Sequence, residues 1–138
     1  ITDHFAATTP TKPAIRVDGA VWTYAGLHDR VLRTVAALRS AGVQPGDRVG
    51  WLALNHPDYV TLMCACFRAG AVLVAINARL VAREIAYILG DAGIGIILSE
   101  TGFLPLVEEA RATTALNTVV LLDAPFEGRP AFADWLAA

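Results

Sequence analysis

Charged residues are scarce in this sequence, and they form no basic stripe. They make up 17% of the 138 residues, whereas hydrophobic residues make up 55%, and the net charge is −2. A protein that neutralises nucleic-acid phosphates needs clustered Lys and Arg, so nucleic acid is not an expected partner. The apolar excess instead indicates strands and helices that are buried on more than one side.

Long hydrophobic runs are also absent. The longest, such as Ala69 to Ile76, are far short of the roughly 18 to 20 residues that span a bilayer. The first residues contain no basic segment followed by an apolar one, which a secretory signal would require. We therefore expect no transmembrane segment and a cytoplasmic protein.

Cysteine is limited to Cys64 and Cys66. On the helix predicted there, side chains two positions apart diverge by roughly 200°, so these thiols are not placed to pair. No set of His and Cys at metal-ligand spacing accompanies them. Both are predicted to be small buried apolar side chains, and no metal site is predicted.

Familiar catalytic motifs are missing as well. The sequence has no Gly-x-x-x-x-Gly-Lys-Ser/Thr loop, no Gly-x-Gly-x-x-Gly after a strand, and no serine in a Gly-x-Ser-x-Gly turn. Of the three histidines, His4 is expected in a loose terminal segment and His28 on a solvated helix face. No catalytic residue is predicted.

The sequence does contain a regular alternation of strand-like and helical segments. Residues 13–23 form two strand-like runs around Asp18-Gly19, which predicts a β-hairpin. From 24 to 122, helical segments alternate with short apolar runs, and we predict strands at 48–54, 72–76, 94–98 and 118–122. This alternation indicates an α/β fold with a parallel, helix-covered sheet. Residues 123–138 are expected to begin a further segment.

Ligands of open α/β sheets bind beyond the carboxyl ends of the strands. In this sequence polar side chains follow every predicted strand: Asn55 and His56, then Asn77 and Arg79, then Ser99, Glu100 and Thr101, and finally Asp123. Such residues also cap helices and form turns, so each has a structural interpretation beside the binding one. For His56, a role at the start of a helix is favoured over catalysis.

Four ordered segments within residues 13–99 resemble the opening of the adenylate-forming superfamily, which includes acyl-CoA synthetases. Trp-Thr-Tyr-Ala-Gly-Leu is similar to the family's Leu-Thr-Tyr-x-Glu-Leu, and Pro-Gly-Asp-Arg-Val matches its entry to the first parallel strand. Asn-His-Pro-Asp-Tyr resembles Asn-x-Pro-Glu-Phe, and Asn-Ala-Arg-Leu resembles Asn-x-Arg-Leu of acid–CoA ligases. The segments lie at 22–27, 45–49, 55–59 and 77–80.

The resemblance implies that residues 1–138 are an incomplete N-terminal subdomain of a larger, Rossmann-like AMP-binding domain. The parent enzyme would activate a carboxylic acid with ATP to an acyl-adenylate and transfer the acyl group to CoA, using Mg²⁺. The family's Gly-rich loop ending in Pro-Lys-Gly is not in this sequence. We therefore expect the fragment alone to be inactive, and no cofactor is assigned firmly to it.

Two further details depend on the resemblance. It implies that Arg79 contacts a phosphate of the CoA nucleotide, with a loop cap or salt bridge as the alternative. The family usually has Thr or Ser where Val81 stands. The lost side-chain cap would weaken the following helix start by about 1 kcal/mol.

The expected partners are the remainder of the same enzyme and a carboxylic acid, and a homo-oligomer is left open. Two alternatives remain at this point. One is a CoA-independent adenylating enzyme of the same superfamily. The other is a free-standing Rossmann-like binding module, for which the sequence shows no ligand loop of its own.

Overall fold

The computed structural model describes residues 2–137, so Ile1 and Ala138, the outermost residues of the predicted subdomain, lie outside the described residues. The helices are α1 (Thr2–Thr8), α2 (Tyr24–Ser40), α3 (Asp58–Ala69), α4 (Ala82–Ala92), α5 (Leu104–Arg111) and α6 (Phe132–Trp135). The strands are β1 (Pro13–Val17), β2 (Ala20–Thr23), β3 (Arg48–Leu52), β4 (Val72–Ala75), β5 (Ile96–Ser99) and β6 (Thr118–Leu121). A short 3₁₀ helix, Thr101–Phe103, leads into α5.

The strands form two sheets. β1 and β2 pair as an antiparallel hairpin, and the other four form a parallel sheet in the order β4-β3-β5-β6. Asp18 and Gly19, with φ of 46° and 79°, make the tight turn of the hairpin. The predicted α/β fold with an N-terminal hairpin and a parallel, helix-covered sheet is confirmed.

Helix α2 begins and ends at residues whose types favour helix termini. Thr23 is its N-cap, and its hydroxyl accepts a hydrogen bond from the backbone N–H of Gly26 at 3.2 Å. The chain leaves the helix through Ala41 and Gly42, which has a φ of 88° that favours glycine.

Helices cover both faces of the parallel sheet. α2 and α3 pack on one face, where Ile96 and Leu98 of β5 point toward them. α4 and α5 pack on the other face, where Ile97 is buried. Successive residues of a strand point to opposite faces of the sheet. Because helices bury both faces, the strands consist of continuous apolar runs.

Gly50 in β3 shows how closely this second face is packed. A Cβ at this position would lie 2.9 Å from Cγ1 of Ile97 and 3.2 Å from Cγ2 of Ile94. Only a residue without a side chain leaves room for both isoleucines.

Two expectations for the histidines were wrong. His4 lies in α1, not in a loose segment, and the following Phe5 stacks on Tyr24 with 4.9 Å between ring centroids. His28 is half-buried, not solvated, because α1 packs over it and places Thr2 Oγ1 3.4 Å from its Nδ1. α1 has only seven residues, too few for a stable isolated helix, so its tertiary contacts hold it.

The remaining differences are at strand ends. β3 ends at Leu52 instead of residue 54, since Leu54 already donates its N–H to the carboxylate of Glu100. β5 starts at Ile96 and ends at Ser99 instead of spanning 94–98. Among residues 2–137, no helix is long and apolar enough to cross a bilayer.

Candidate functional site

A cleft of about 930 Å³ lies at the carboxyl ends of β3 and β4. Its walls come from the hairpin, the segment between β3 and α3, and the loop that follows β4. All four residues predicted at the ligand edge of these two strands line it: Asn55, His56, Asn77 and Arg79. The structure therefore brings together side chains that are up to 24 residues apart in the sequence.

A largely buried ion pair lies at the start of α3, next to His56 and Pro57 of the cleft lining. Asp58, the first residue of α3, is 3% exposed, and its two carboxylate oxygens accept hydrogen bonds from Arg30 Nε at 2.5 Å and Nη2 at 2.7 Å. The guanidinium carbon of Arg30 lies 5.1 Å from the ring centroids of both Trp22 and Phe132. The pair thus joins the hairpin, α2, α3 and α6.

His56 lies at the start of α3. Its Nδ1 accepts a hydrogen bond from the backbone N–H of Asp58 at 3.2 Å, and its ring packs 6.3 Å from that of Trp51. The Asp58 carboxylate is 3.7 Å from Nδ1, beyond hydrogen-bond range. With Nδ1 used in this way, the geometry is that of a helix start, and only Nε2 is left for a ligand.

The loop after β4 presents Arg79 to solvent. The side-chain oxygen of Asn77 accepts the backbone N–H of Arg79 at 3.0 Å, which shapes the turn. The Arg79 side chain is exposed and makes no salt bridge with any residue from 2 to 137. Further along, Val81 provides no side-chain cap, but Glu84 accepts its backbone N–H at 3.1 Å and so replaces part of the missing N-cap.

The cleft combines apolar walls with positive charge. Ile15, Trp51, Tyr59 and Ile76 supply much of the apolar lining. Among the described residues that line it, no Asp or Glu is present, and the arginines are Arg16 and Arg79. Such a cleft suits a ligand that carries both an anionic group and an apolar or planar part.

Sequence reasoning missed the contribution of the hairpin, including Arg16. The hairpin itself was predicted correctly, but nothing in the sequence places it beside the carboxyl end of β3. One feature of the sequence could have indicated it. Arg16 is a charged residue between Ile15 and Val17, and the alternation of a strand places such a residue on the face away from the core.

The polar residues that follow β5 and β6 hydrogen-bond to neighbouring segments of the chain. Ser99 Oγ donates to the carbonyl of Leu52 at 2.8 Å, and Asp123 accepts from Thr101 Oγ1 at 2.7 Å and from its backbone N–H at 3.0 Å. Burial acts to raise the pKa of Asp123, but the hydrogen bonds from Thr101 and from the backbone N–H groups of Asp123 and Ala124 together outweigh it and hold that pKa below its usual value. These predicted ligand-edge residues therefore make contacts within the fold and do not line the cleft.

The cysteines lie on α3, away from the cleft. Cys66 is fully buried, and this burial raises the pKa of its thiol to about 12, which keeps it protonated and inert. Burial also raises the pKa of the half-buried Cys64. Within the described part of the chain, no cluster of three or more His, Cys, Asp or Glu is placed to hold a metal ion.

Comparison with known proteins finds relatives along nearly the whole chain. The family model of AMP-binding enzymes matches residues 2–135. A fatty acid–acyl-carrier-protein ligase of Streptomyces coeruleorubidus is 36% identical over 137 residues, which is 99% of this chain and 25% of that protein. A feruloyl-CoA synthase of an Amycolatopsis species is 40% identical over 120 residues, 87% of this chain and 23% of that protein.

Solved structures agree with these relatives. The crystal structure of an anthranilate CoA ligase in complex with anthranoyl-AMP superimposes with a TM-score of 0.87 and 28% sequence identity. The match covers 99% of this chain and 26% of that one. The chain thus spans about a quarter of the length of the relatives that it matches.

Proposed function

The chain belongs to the family of AMP-binding enzymes, and from that membership we propose that it is the N-terminal part of an AMP-forming acid–thiol ligase. In the first half-reaction of such an enzyme, a carboxylate oxygen attacks the α-phosphorus of ATP and pyrophosphate leaves. In the second, a thiol sulfur attacks the acyl carbon and AMP leaves. The family match over residues 2–135 is the observation that carries the proposal.

These residues contribute a scaffold and one face of a ligand cleft. ATP, Mg²⁺, CoA and a carboxylic acid are proposed as cofactors and substrate of the whole enzyme, and the remainder of that enzyme is the proposed partner. No residue from 2 to 137 is assigned to Mg²⁺, since none belongs to a suitable ligand cluster. The domain boundary, a cytoplasmic location and a homo-oligomeric state stay predictions.

Arg79 is the proposed contact to a phosphate of the CoA nucleotide, and bound CoA would supply the thiol that takes the acyl group. Two features support this role: the guanidinium is exposed at the cleft, and no residue in the described range forms a salt bridge with it. The fixed charge and forked donors of arginine suit a phosphate oxygen pair. The alternative, a salt bridge within the loop, has no partner in residues 2–137.

ATP–pyrophosphate exchange tests the proposed reaction. The pure 138-residue chain should show none with a panel of carboxylic acids that includes ferulate, indoleacetate and a long-chain fatty acid. A polypeptide that continues through the family's Pro-Lys-Gly loop should exchange with at least one acid. Exchange by the short chain, or a gene that continues without that loop, would contradict the proposal.

A second acceptor is supported by one comparison. The Streptomyces coeruleorubidus relative is named for an acyl-carrier-protein acceptor, which fits the CoA-independent alternative. Incubating the longer enzyme with acid, ATP and either CoA or a pantetheinylated carrier protein separates the two. We expect thioester on CoA; thioester on the carrier protein alone would assign the alternative.

A further inference from the structure

Arg16 is the charged residue that the hairpin contributes to the cleft. Ile15 and Val17 on either side of it are half-buried, and Arg16 itself is exposed. Ile15 lies opposite Trp22 in the hairpin, and both pack against the core. The hairpin is therefore anchored to the core through Ile15 and Trp22, while the exposed Arg16 is among the residues that line the cleft.

The positive charge of this cleft is not balanced by the protein around it. Arg16, like Arg79, forms no salt bridge with a residue in the described range, and no described carboxylate lines the cleft. The amino-terminal end of α3, a 12-residue helix, also lies at the cleft and adds positive potential. Asp58 in its first turn does not offset this potential, because Arg30 pairs with it.

We infer that Arg16 is a second cation of this cleft and that, with Arg79, it binds the phosphate groups of a nucleotide. The inference rests on the proposed function and adds a specificity-determining residue from an element remote in sequence from Arg79. Two arginines on separate elements can contact a doubly charged phosphate from two directions, with Tyr59 and Ile15 available to the apolar part of the ligand. A single surface arginine would bind a phosphate weakly and without selectivity.

Adenosine 3′,5′-bisphosphate is a suitable probe, with adenosine as the uncharged comparison. Calorimetric titration of the 138-residue chain at low salt should give binding of the bisphosphate and much weaker binding of adenosine. Arg16→Ala and Arg79→Ala should each weaken bisphosphate binding by about tenfold, as expected for loss of one charge-assisted contact. Arg83→Ala removes an exposed arginine that does not line this cleft, so it should leave the affinity unchanged. Circular dichroism of each variant controls for folding.

The outcomes separate the inference from the proposed function. Loss of affinity in Arg16→Ala, with recovery of part of it in Arg16→Lys, supports the inference. Wild-type affinity in Arg16→Ala but loss in Arg79→Ala would overturn the inference and keep the proposed role of Arg79. Two outcomes would overturn the phosphate-binding roles of both Arg16 and Arg79: no binding of the bisphosphate by the wild-type chain, or equal losses of affinity in all three alanine variants. The proposed reaction would still be tested separately by the exchange assay.

Discussion

The carboxyl edge of the parallel sheet has two halves that use similar polar residues differently. After β5 and β6, the side chains of Glu100, Thr101 and Asp123 hydrogen-bond to neighbouring loops. After β4, the side chain of Arg79 is free of such contacts among residues 2–137 and faces a cleft. The difference lies in which segments meet: Asp123 after β6 reaches Thr101 after β5, and Glu100 reaches Leu54 after β3. The loop after β4, at one edge of the sheet, instead lines the cleft together with the hairpin.

The comparison teaches that polarity alone does not mark a binding site. A polar side chain at a strand end becomes available to a ligand only when no neighbouring loop satisfies it. Substitutions in the two halves should therefore differ in what they change: stability in the closed half, and ligand binding with little loss of stability in the open half.

The largest effect on stability is expected at the Asp58–Arg30 ion pair, whose two residues are not among those that line the cleft. Asp58→Ala leaves Arg30 without its partner beside Trp22 and the buried ring of Phe132. Because the Arg30 side chain is 28% exposed, the expected loss is about 2 kcal/mol of unfolding free energy, less than for a fully buried pair. Urea denaturation measures this as a shift of the midpoint. Asp29→Ala is the matched control, since Asp29 pairs with Arg33 on the exposed face of α2, where an ion pair contributes about 1 kcal/mol or less. Equal losses in the two variants would show that the burial of Asp58 does not make its ion pair more stabilising than the exposed one.

An intermediate effect is expected in the closed half. Asp123→Ala removes the acceptor for two donors of Thr101 at the start of the 3₁₀ helix, which should cost about 1 kcal/mol of unfolding free energy. Nucleotide binding in the cleft should not change. Glu109→Ala, which removes an exposed carboxylate of α5, is the control. A change in bisphosphate affinity in Asp123→Ala would contradict the separation of the two halves.

The same carboxylate gives this contact an acid dependence. Its pKa is lower in the folded chain than in the unfolded one, so its contribution is fully present above the unfolded pKa of about 3.9 and is lost as the pH falls through the folded pKa. Asn does not titrate, so wild type should be more stable than Asp123→Asn at pH 5. The difference in unfolding free energy between the two should shrink as the pH falls from 5 to 2. A difference that is constant over this range would contradict the assignment.

The smallest effect on stability is expected at the rim of the open half. Arg79→Ala removes a side chain without a salt bridge in the described range, so its unfolding free energy should stay within about 0.5 kcal/mol of wild type, as should that of Arg83→Ala. The same variant should lose nucleotide affinity. A stability loss above 1 kcal/mol would indicate that Arg79 has a structural partner and would favour the loop interpretation.

Local features of the fold could be predicted because they depend on contacts close in sequence. The turn at Asp18-Gly19, the N-cap Thr23 and the apolar runs of the strands each carry a local signal. The order of the sheet carries none: β5 pairs with β3 on the side away from β4, and no short-range pattern encodes that choice. α1 was missed for the related reason that its stabilising contacts, including Asp3 with Arg68, lie far away in the sequence.

For the candidate site, the sequence by itself determined which polar residues stand at strand ends, including Asn55, His56, Asn77 and Arg79, because strand length and apolar pattern fix those positions. The tertiary structure decided which of them face a ligand cleft. It paired Asp123 with Thr101 and brought Arg16 of the hairpin to the cleft, since packing and strand order, not local periodicity, determine which loops meet.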